Sequence, residues 1–179
     1  CQMDGVYLSS HDANTIEKCL INGEGIGVTL NLPVGVRNTT IRECCFISRK
    51  EALRIIDGSN VRFLNNQCEQ PEGPLSTSDH SAMLVIEGAT RPAQNVVISE
   101  NNFGGGTNLD RLIYVGNSRM AVIEKNNLVA VGLESGGFNG YEIEVSMLAE
   151  RTFIRPDNHV LSQILNPRDY WSPRVLDNG

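Results

Sequence analysis

The stretch NVVISENNFGG at residues 95–105 returns in outline as NVRFLNNQCEQ from Asn60 and MAVIEKNNLVA from Met120. Each carries apolar residues two apart, then, after two further residues, Asn, one more residue, and an apolar residue or Cys. A recurring phrase constrains a chain strongly, because a repeated unit buries its apolar face only by stacking on its neighbours. With Ile98 as an anchor, the positions three and five residues later hold Asn101 and Phe103. The same offsets give Asn126 and Leu128 from Ile123, Asn66 and Cys68 from Phe63, Cys44 and Phe46 from Ile41, and Cys19 and Ile21 from Ile16. Successive anchors lie 25, 22, 35 and 25 residues apart, and RTFIRPDNHV offers a weaker sixth copy anchored at Phe153 or Ile154.

A second short alternation precedes each anchor: VYL at Val6, VTLNL at Val28, ALRII at Ala52, MLVIE at Met83, LIYV at Leu112 and YEIEV at Tyr141. Gly, Asn, Asp or Ser usually fills the interval, so the unit is strand, turn, strand, turn, with extra length placed between units. No window sustains a 3.6-residue period. The pattern predicts an all-β fold, a right-handed parallel β-helix of about six to seven turns over residues 1–163. A non-repetitive tail, residues 164–179, is expected to cap the solenoid or lead onward from it. Strands of successive turns would lie about 4.8 Å apart, so equivalent residues stack in columns. Ile16, Ile41, Phe63, Ile98 and Ile123 would form a core column. Asn66, Asn101 and Asn126 would form a ladder at a bend, where Asn tolerates the left-handed conformation. Cys19 and Cys44 would continue that column as small residues that fit inside. An antiparallel sandwich also spaces its strands regularly but predicts no aligned columns.

A chain of 179 residues suits one domain with a sizeable core. Its net charge of −6 and lack of a basic run argue against a nucleic acid or anionic membrane as partner. No apolar stretch approaches the roughly 18 residues that span a bilayer. The five cysteines show no CxxC or Cys/His spacing suited to zinc. Most of them read as small buried apolar residues rather than as disulfides or ligands, and neither a metal nor a cofactor is expected.

The loose phrase xVxIxxNxF, spread over residues 1 to about 160, resembles the pectate-lyase-like β-helix superfamily. Its members include pectate lyases, polygalacturonases, alginate epimerases and bacteriophage tailspikes. The resemblance implies a long carbohydrate-binding groove along one face. The NTD, DD, GHG and RIK stretches of polygalacturonases and the DPHE stretch of alginate epimerases are absent. In SDHS, Asp79-His80 matches only two residues of the pectate lyase pattern. The chain is most similar to tailspikes and related fibres, whose sites are built anew on the β-helix face or between subunits. That resemblance implies a homotrimer in a virion tail or another extracellular setting, with a bacterial surface polysaccharide as partner.

Alternation in the strands before the anchors places Ile55, Ile86, Val115 and Val145 inside and Arg54, Val85, Tyr114 and Glu144 outside, joined by Glu87 and Glu142. On consecutive turns these residues make one strip. Its carboxylates can bond hydroxyls or transfer protons, and its ring can support a pyranose. Glu87 and Glu144, two turns apart, would stand about 9–10 Å apart, near the upper limit for an inverting glycosidase pair. The longest interval between anchors contains CEQPEGPLSTSDHSAM, in which His80 beside Asp79 could act as a base or contact a sugar. This segment, GGGTNLDR ending at Arg111, and GLESGGFNG at 132–140 are expected to leave from one side and wall a groove. Candidate catalytic residues are therefore Glu87, Glu144, Asp79 and His80. Candidate binding residues are Arg54, Tyr114, Glu142 and Arg111. The bland alternative makes the carboxylates solvated strand-face charges. Two further readings compete: a non-catalytic stem of a trimeric fibre, favoured if an apolar column such as Ala52, Met83 and Val85 is exposed, and a free polysaccharide lyase.

Overall fold

A computed structural model describes residues 5–8, 13–23, 25–31, 37–48, 50–70, 82–105, 111–130, 141–160 and 164–165. Among the described residues, nineteen short strands form three sheets, and every strand pairing is parallel. The first sheet stacks β1 (Val6–Leu8), β4 (Val28–Leu30), β7 (Leu53–Ile55), β10 (Ala82–Ile86), β13 (Arg111–Val115), β16 (Tyr141–Val145) and β19 (Ile164–Leu165). The second stacks β2 (Thr15–Glu17), β5 (Thr40–Arg42), β8 (Ser59–Leu64), β11 (Ala93–Ser99), β14 (Ser118–Glu124) and β17 (Phe153–Ile154). The third stacks β3 (Leu20–Gly23), β6 (Cys45–Ser48), β9 (Gln67–Glu69), β12 (Asn102–Gly105), β15 (Asn127–Ala130) and β18 (His159–Val160). One strand from each sheet makes a layer, so the chain is a right-handed parallel β-helix of six layers, with β19 opening a seventh. The two leading residues of the expected tail thus pair with β16.

The anchors stack as their spacing requires. Ile16 pairs with Ile41, Ile41 with Phe63, Phe63 with Ile98 and Ile98 with Ile123. Ile123 then pairs with Ile154, which makes Ile154 the sixth anchor rather than Phe153. From Ile41 to Ile154 this column is fully buried. Burial of such a side chain contributes roughly 1.5–3 kcal/mol, and it recurs in layer after layer. Phe46, Phe63 and Phe103 add a ring stack, with centroids 5.6 and 6.3 Å apart.

The bend between the second and third sheets carries the asparagine ladder. Asn66 Nδ2 donates to Asn101 Oδ1 at 3.0 Å, Asn101 Nδ2 to Asn126 Oδ1 at 3.0 Å, and Asn126 Nδ2 to Asn158 Oδ1 at 2.9 Å. Backbone N–H groups of Asn66, Asn101 and Asn126 donate to the same oxygens, and each Nδ2 also reaches the anchor carbonyl one layer back. The left-handed residue is not the ladder asparagine but the one before it: Lys18, Glu43, Asn65, Glu100 and Lys125. That residue turns the chain, which frees the next side chain to point inward and bond along the axis. Asn158 escaped the sequence pattern because its layer carries one extra residue between anchor and ladder position.

A second left-handed column, Ala13, Asn38, Asn60, Asn95, Met120 and Arg151, marks the entry to the second sheet. Exposed amides link Asn60 to Asn38 at 3.1 Å and Asn95 to Asn60 at 3.0 Å. Cys44 and Cys68 are buried, as small core residues should be. Cys19 departs from that expectation and is exposed, because only one neighbouring layer packs on the first coil among the described residues.

Candidate functional site

The first sheet has an outer column in which Thr29, Arg54, Val85, Tyr114 and Glu144 stand in register on successive strands. The strip inferred from alternation therefore exists as a line of neighbours. Its depth differs from expectation: Val85 is 1% and Tyr114 9% exposed, and with Ala82 they form a separate apolar cluster outside the main core.

Simple alternation fails where each of these strands begins. Ala52 and Leu53, Met83 and Leu84, and Leu112 and Ile113 are consecutive residues that all belong to the main core. Because two neighbours in sequence both turn inward, the residues on either side of each pair fall on the outer face. Glu51, Ala82 and Arg111 thus form a second outer column beside Arg54, Val85 and Tyr114. Glu142 is corrected by the same geometry. It stands in register with Leu112 and Met83, and it is fully buried rather than outward-facing. The apolar column that would have favoured a stem is also covered, with Ala52, Met83 and Val85 each at most 2% exposed.

Two ion pairs frame the strip. Arg54 Nη2 bonds Glu51 Oε1 within one layer, and the Glu51 side chain is 99% buried, with 1% exposed. Arg111 Nε lies 3.0 Å from Glu144 Oε2 between adjacent layers, and both side chains are largely buried. The N–H of that Nε points off the line to the oxygen, so the contact is electrostatic without being a well-formed hydrogen bond. The Arg111 guanidinium also stands over the Tyr114 ring, 5.4 Å from its centroid. One ring face is thereby occupied. Of five buried side-chain polar atoms without a hydrogen bond among the described residues, Glu51 Oε2, Arg54 Nε and Arg111 Nε lie on this strip. Unmet polar capacity is therefore concentrated here.

Glu87 lies just beyond β10, level with Gly116, whose backbone N–H donates to Ile86 O at 2.7 Å. A Cβ built on Gly116 would meet Tyr114 Cε1 at 3.0 Å and Glu87 Cγ at 3.3 Å, so the glycine leaves the space those two side chains fill. Burial pushes the Tyr114 phenol above its ordinary range. A bond with the Ser146 side chain opposes this, the Glu87 and Glu144 charges add to it, and Arg111 opposes it. Glu87 and Glu144 thus both act on Tyr114. Their backbones are two layers apart and also offset by two residues, about 12 Å by strand geometry.

Asp79 and His80 lie outside the described residues. The intervals 71–81, 106–110 and 131–140, expected to wall a groove, lie outside the described residues as well. Sequence reasoning missed Glu51. The apolar pairs Ala52-Leu53, Met83-Leu84 and Leu112-Ile113 were the signal that could have found it. Among the described residues no group of three or more His, Cys, Asp or Glu could hold a metal ion, and no helix is long and apolar enough to cross a membrane. No family model matches the chain, and no curated protein matches its sequence.

Proposed function

We propose that this β-helix binds a bacterial surface polysaccharide along the outer strip of its first sheet, in the manner of a phage tailspike or related fibre. The observation that carries the reading is the line of partly exposed charged side chains, Arg54, Arg111 and Glu144, held beside Tyr114 on successive layers. A glycan chain offers hydroxyls at regular intervals, each able to donate and accept, and so complements a line of carboxylates and guanidinium groups. The chain's net charge of −6 suits a neutral or mixed-charge glycan held by hydrogen bonds. With one ring face taken by Arg111, Tyr114 serves chiefly through its edge and hydroxyl.

Cleavage extends this reading. Glu87 and Glu144 are the residues to carry it, with Asp79 and His80 on the neighbouring interval. The deciding experiment incubates the protein with capsular and O-antigen polysaccharides, measuring binding, reducing ends and absorbance near 232 nm. Binding with new reducing ends supports hydrolysis, and added absorbance supports a lyase. Binding alone leaves an adhesin. Absence of binding across a broad panel, with the protein folded, removes the proposal. Trimerisation and placement in a virion tail belong to the same reading, and sedimentation of the isolated chain tests the first.

A further inference from the structure

The corner that holds asparagine in the later layers holds cysteine in the first two. Cys19 and Cys44 share one register position, flanked by the pairs Glu17 with Arg42 and Leu20 with Cys45. Each follows a left-handed residue of nearly identical φ, 53° at Lys18 and 54° at Glu43, so the two turns superpose along the axis. Each thiol donates to a carbonyl two residues back, Cys19 to Glu17 O and Cys44 to Arg42 O, both at 3.2 Å. Cys44 Sγ also lies 3.8 Å from Ile16 O, which aims it at the first layer. The backbones are tied at the same point, with Cys45 N donating to Cys19 O at 2.9 Å.

Stacked strands about 4.8 Å apart place two such Cα atoms within the roughly 4.4–6.8 Å that a disulfide spans. Cys45 and Cys68 stack differently, against Leu20 and Gln67 and against Phe46 and Phe103 respectively. Among the described residues the first coil is thinly covered. Ile16 and Ile21 are only partly buried, and Leu20 is 68% exposed.

We propose that Cys19 and Cys44 form a dithiol site that oxidises to a disulfide between layers and clamps the first coil to the second. The oxidant is a small-molecule disulfide such as oxidised glutathione. The exposed Cys19 thiolate attacks one of its sulfurs, the small S–S bond breaks, and one small thiolate leaves. The Cys44 thiolate then attacks the Cys19 sulfur of the mixed disulfide and expels the second small thiolate. Two protein thiols are oxidised, one small disulfide is reduced, and the two protons end on the departing thiols. Burial holds the Cys44 thiol above its ordinary range, so ring closure is the slow step near neutral pH and quickens as pH rises. The proposal stands independently of the glycan reading.

The test treats the folded chain with oxidised glutathione at pH 8.5 and maps its peptides without reduction. The expected product links the Cys19 and Cys44 peptides, is reversed by dithiothreitol, and still forms in Cys45→Ser. Amide exchange over residues 15–23 should slow by about tenfold or more on oxidation, as restraint of a fraying coil predicts, and should not change in Cys19→Ser. A persistent mixed disulfide at Cys19 that never closes, a bridge from Cys19 to any other cysteine, or no reaction would each overturn it.

Discussion

At the corner between the second and third sheets, Asn66, Asn101 and Asn126 repeat one set of bonds in successive layers, and Asn158 receives the last of them. On the outer face of the first sheet, Arg54, Val85, Tyr114 and Glu144 follow one another with no side chain repeated. Both columns belong to the same coils, so backbone geometry cannot explain the contrast. From the third layer on, the corner has the same buried polar groups to satisfy, and asparagine satisfies them each time. The strip has a different neighbour at every step, as a surface complementary to something other than itself would have. Substitutions should therefore damage stability at the corner and recognition on the strip.

The largest expected effect is at the corner. The Asn101 side chain makes three donor contacts and accepts two more, all buried. Asn101→Ala should destabilise the fold by about 3–5 kcal/mol, since several buried groups lose partners at once. That corresponds to a melting point lower by about 10 °C for a chain of this size, measurable by calorimetry. A loss below about 1 kcal/mol would show that the ladder is decorative.

On the strip the outcome should reverse. Arg111→Ala and Glu144→Gln should weaken glycan binding about tenfold or more while shifting stability by only about 1 kcal/mol, because the ion pair they share is still partly solvated. Calorimetric titration and thermal melting on the same samples separate the two quantities. Equal loss of stability and binding would erase the distinction drawn here.

Met120 offers a gain. It sits at φ 64°, in register with Asn95, where an asparagine column has just ended. Met120→Asn should relieve left-handed strain and extend the amide series, stabilising the fold by about 1 kcal/mol, visible as a shifted denaturation midpoint.

The smallest effect concerns Tyr114. A phenol raised in the folded state keeps its proton longer than in the unfolded chain, so its contribution to stability is full below about pH 10 and is lost as pH climbs further. Tyr114→Phe should flatten part of that alkaline decline, and tyrosine absorbance near 295 nm should lose its latest-titrating component. The raised thiols of Cys44, Cys45 and Cys68 act in the same direction, so the comparison must be made against the parent protein.

What could be read from the sequence follows the same division. The stacking of Ile98 on Phe63 and Ile123 was legible because a period repeated in several units outweighs uneven loop lengths. The ladder was legible for Asn66, Asn101 and Asn126 for the same reason. Its turn chemistry was not, since Lys18, Glu43, Glu100 and Lys125 are residues that seldom adopt a left-handed conformation. On the strip, period-2 alternation placed Arg54, Tyr114 and Glu144 correctly but misdirected Glu142 and hid Glu51. Two consecutive residues join the core in each of three layers, and such a pair is invisible to a rule of strict alternation. Arg111 was named from a loop; only the register reveals that it reaches Glu144 in the next layer.

The ladder has one further consequence. Since each amide answers only to the coil before and the coil after, inserting or deleting one whole coil would leave every remaining bond with an equivalent partner. A protein built this way can change length only in increments, each of about 4.8 Å. Any fibre made from it would be graded like a ruler, and a distance to a receptor could be set by counting coils.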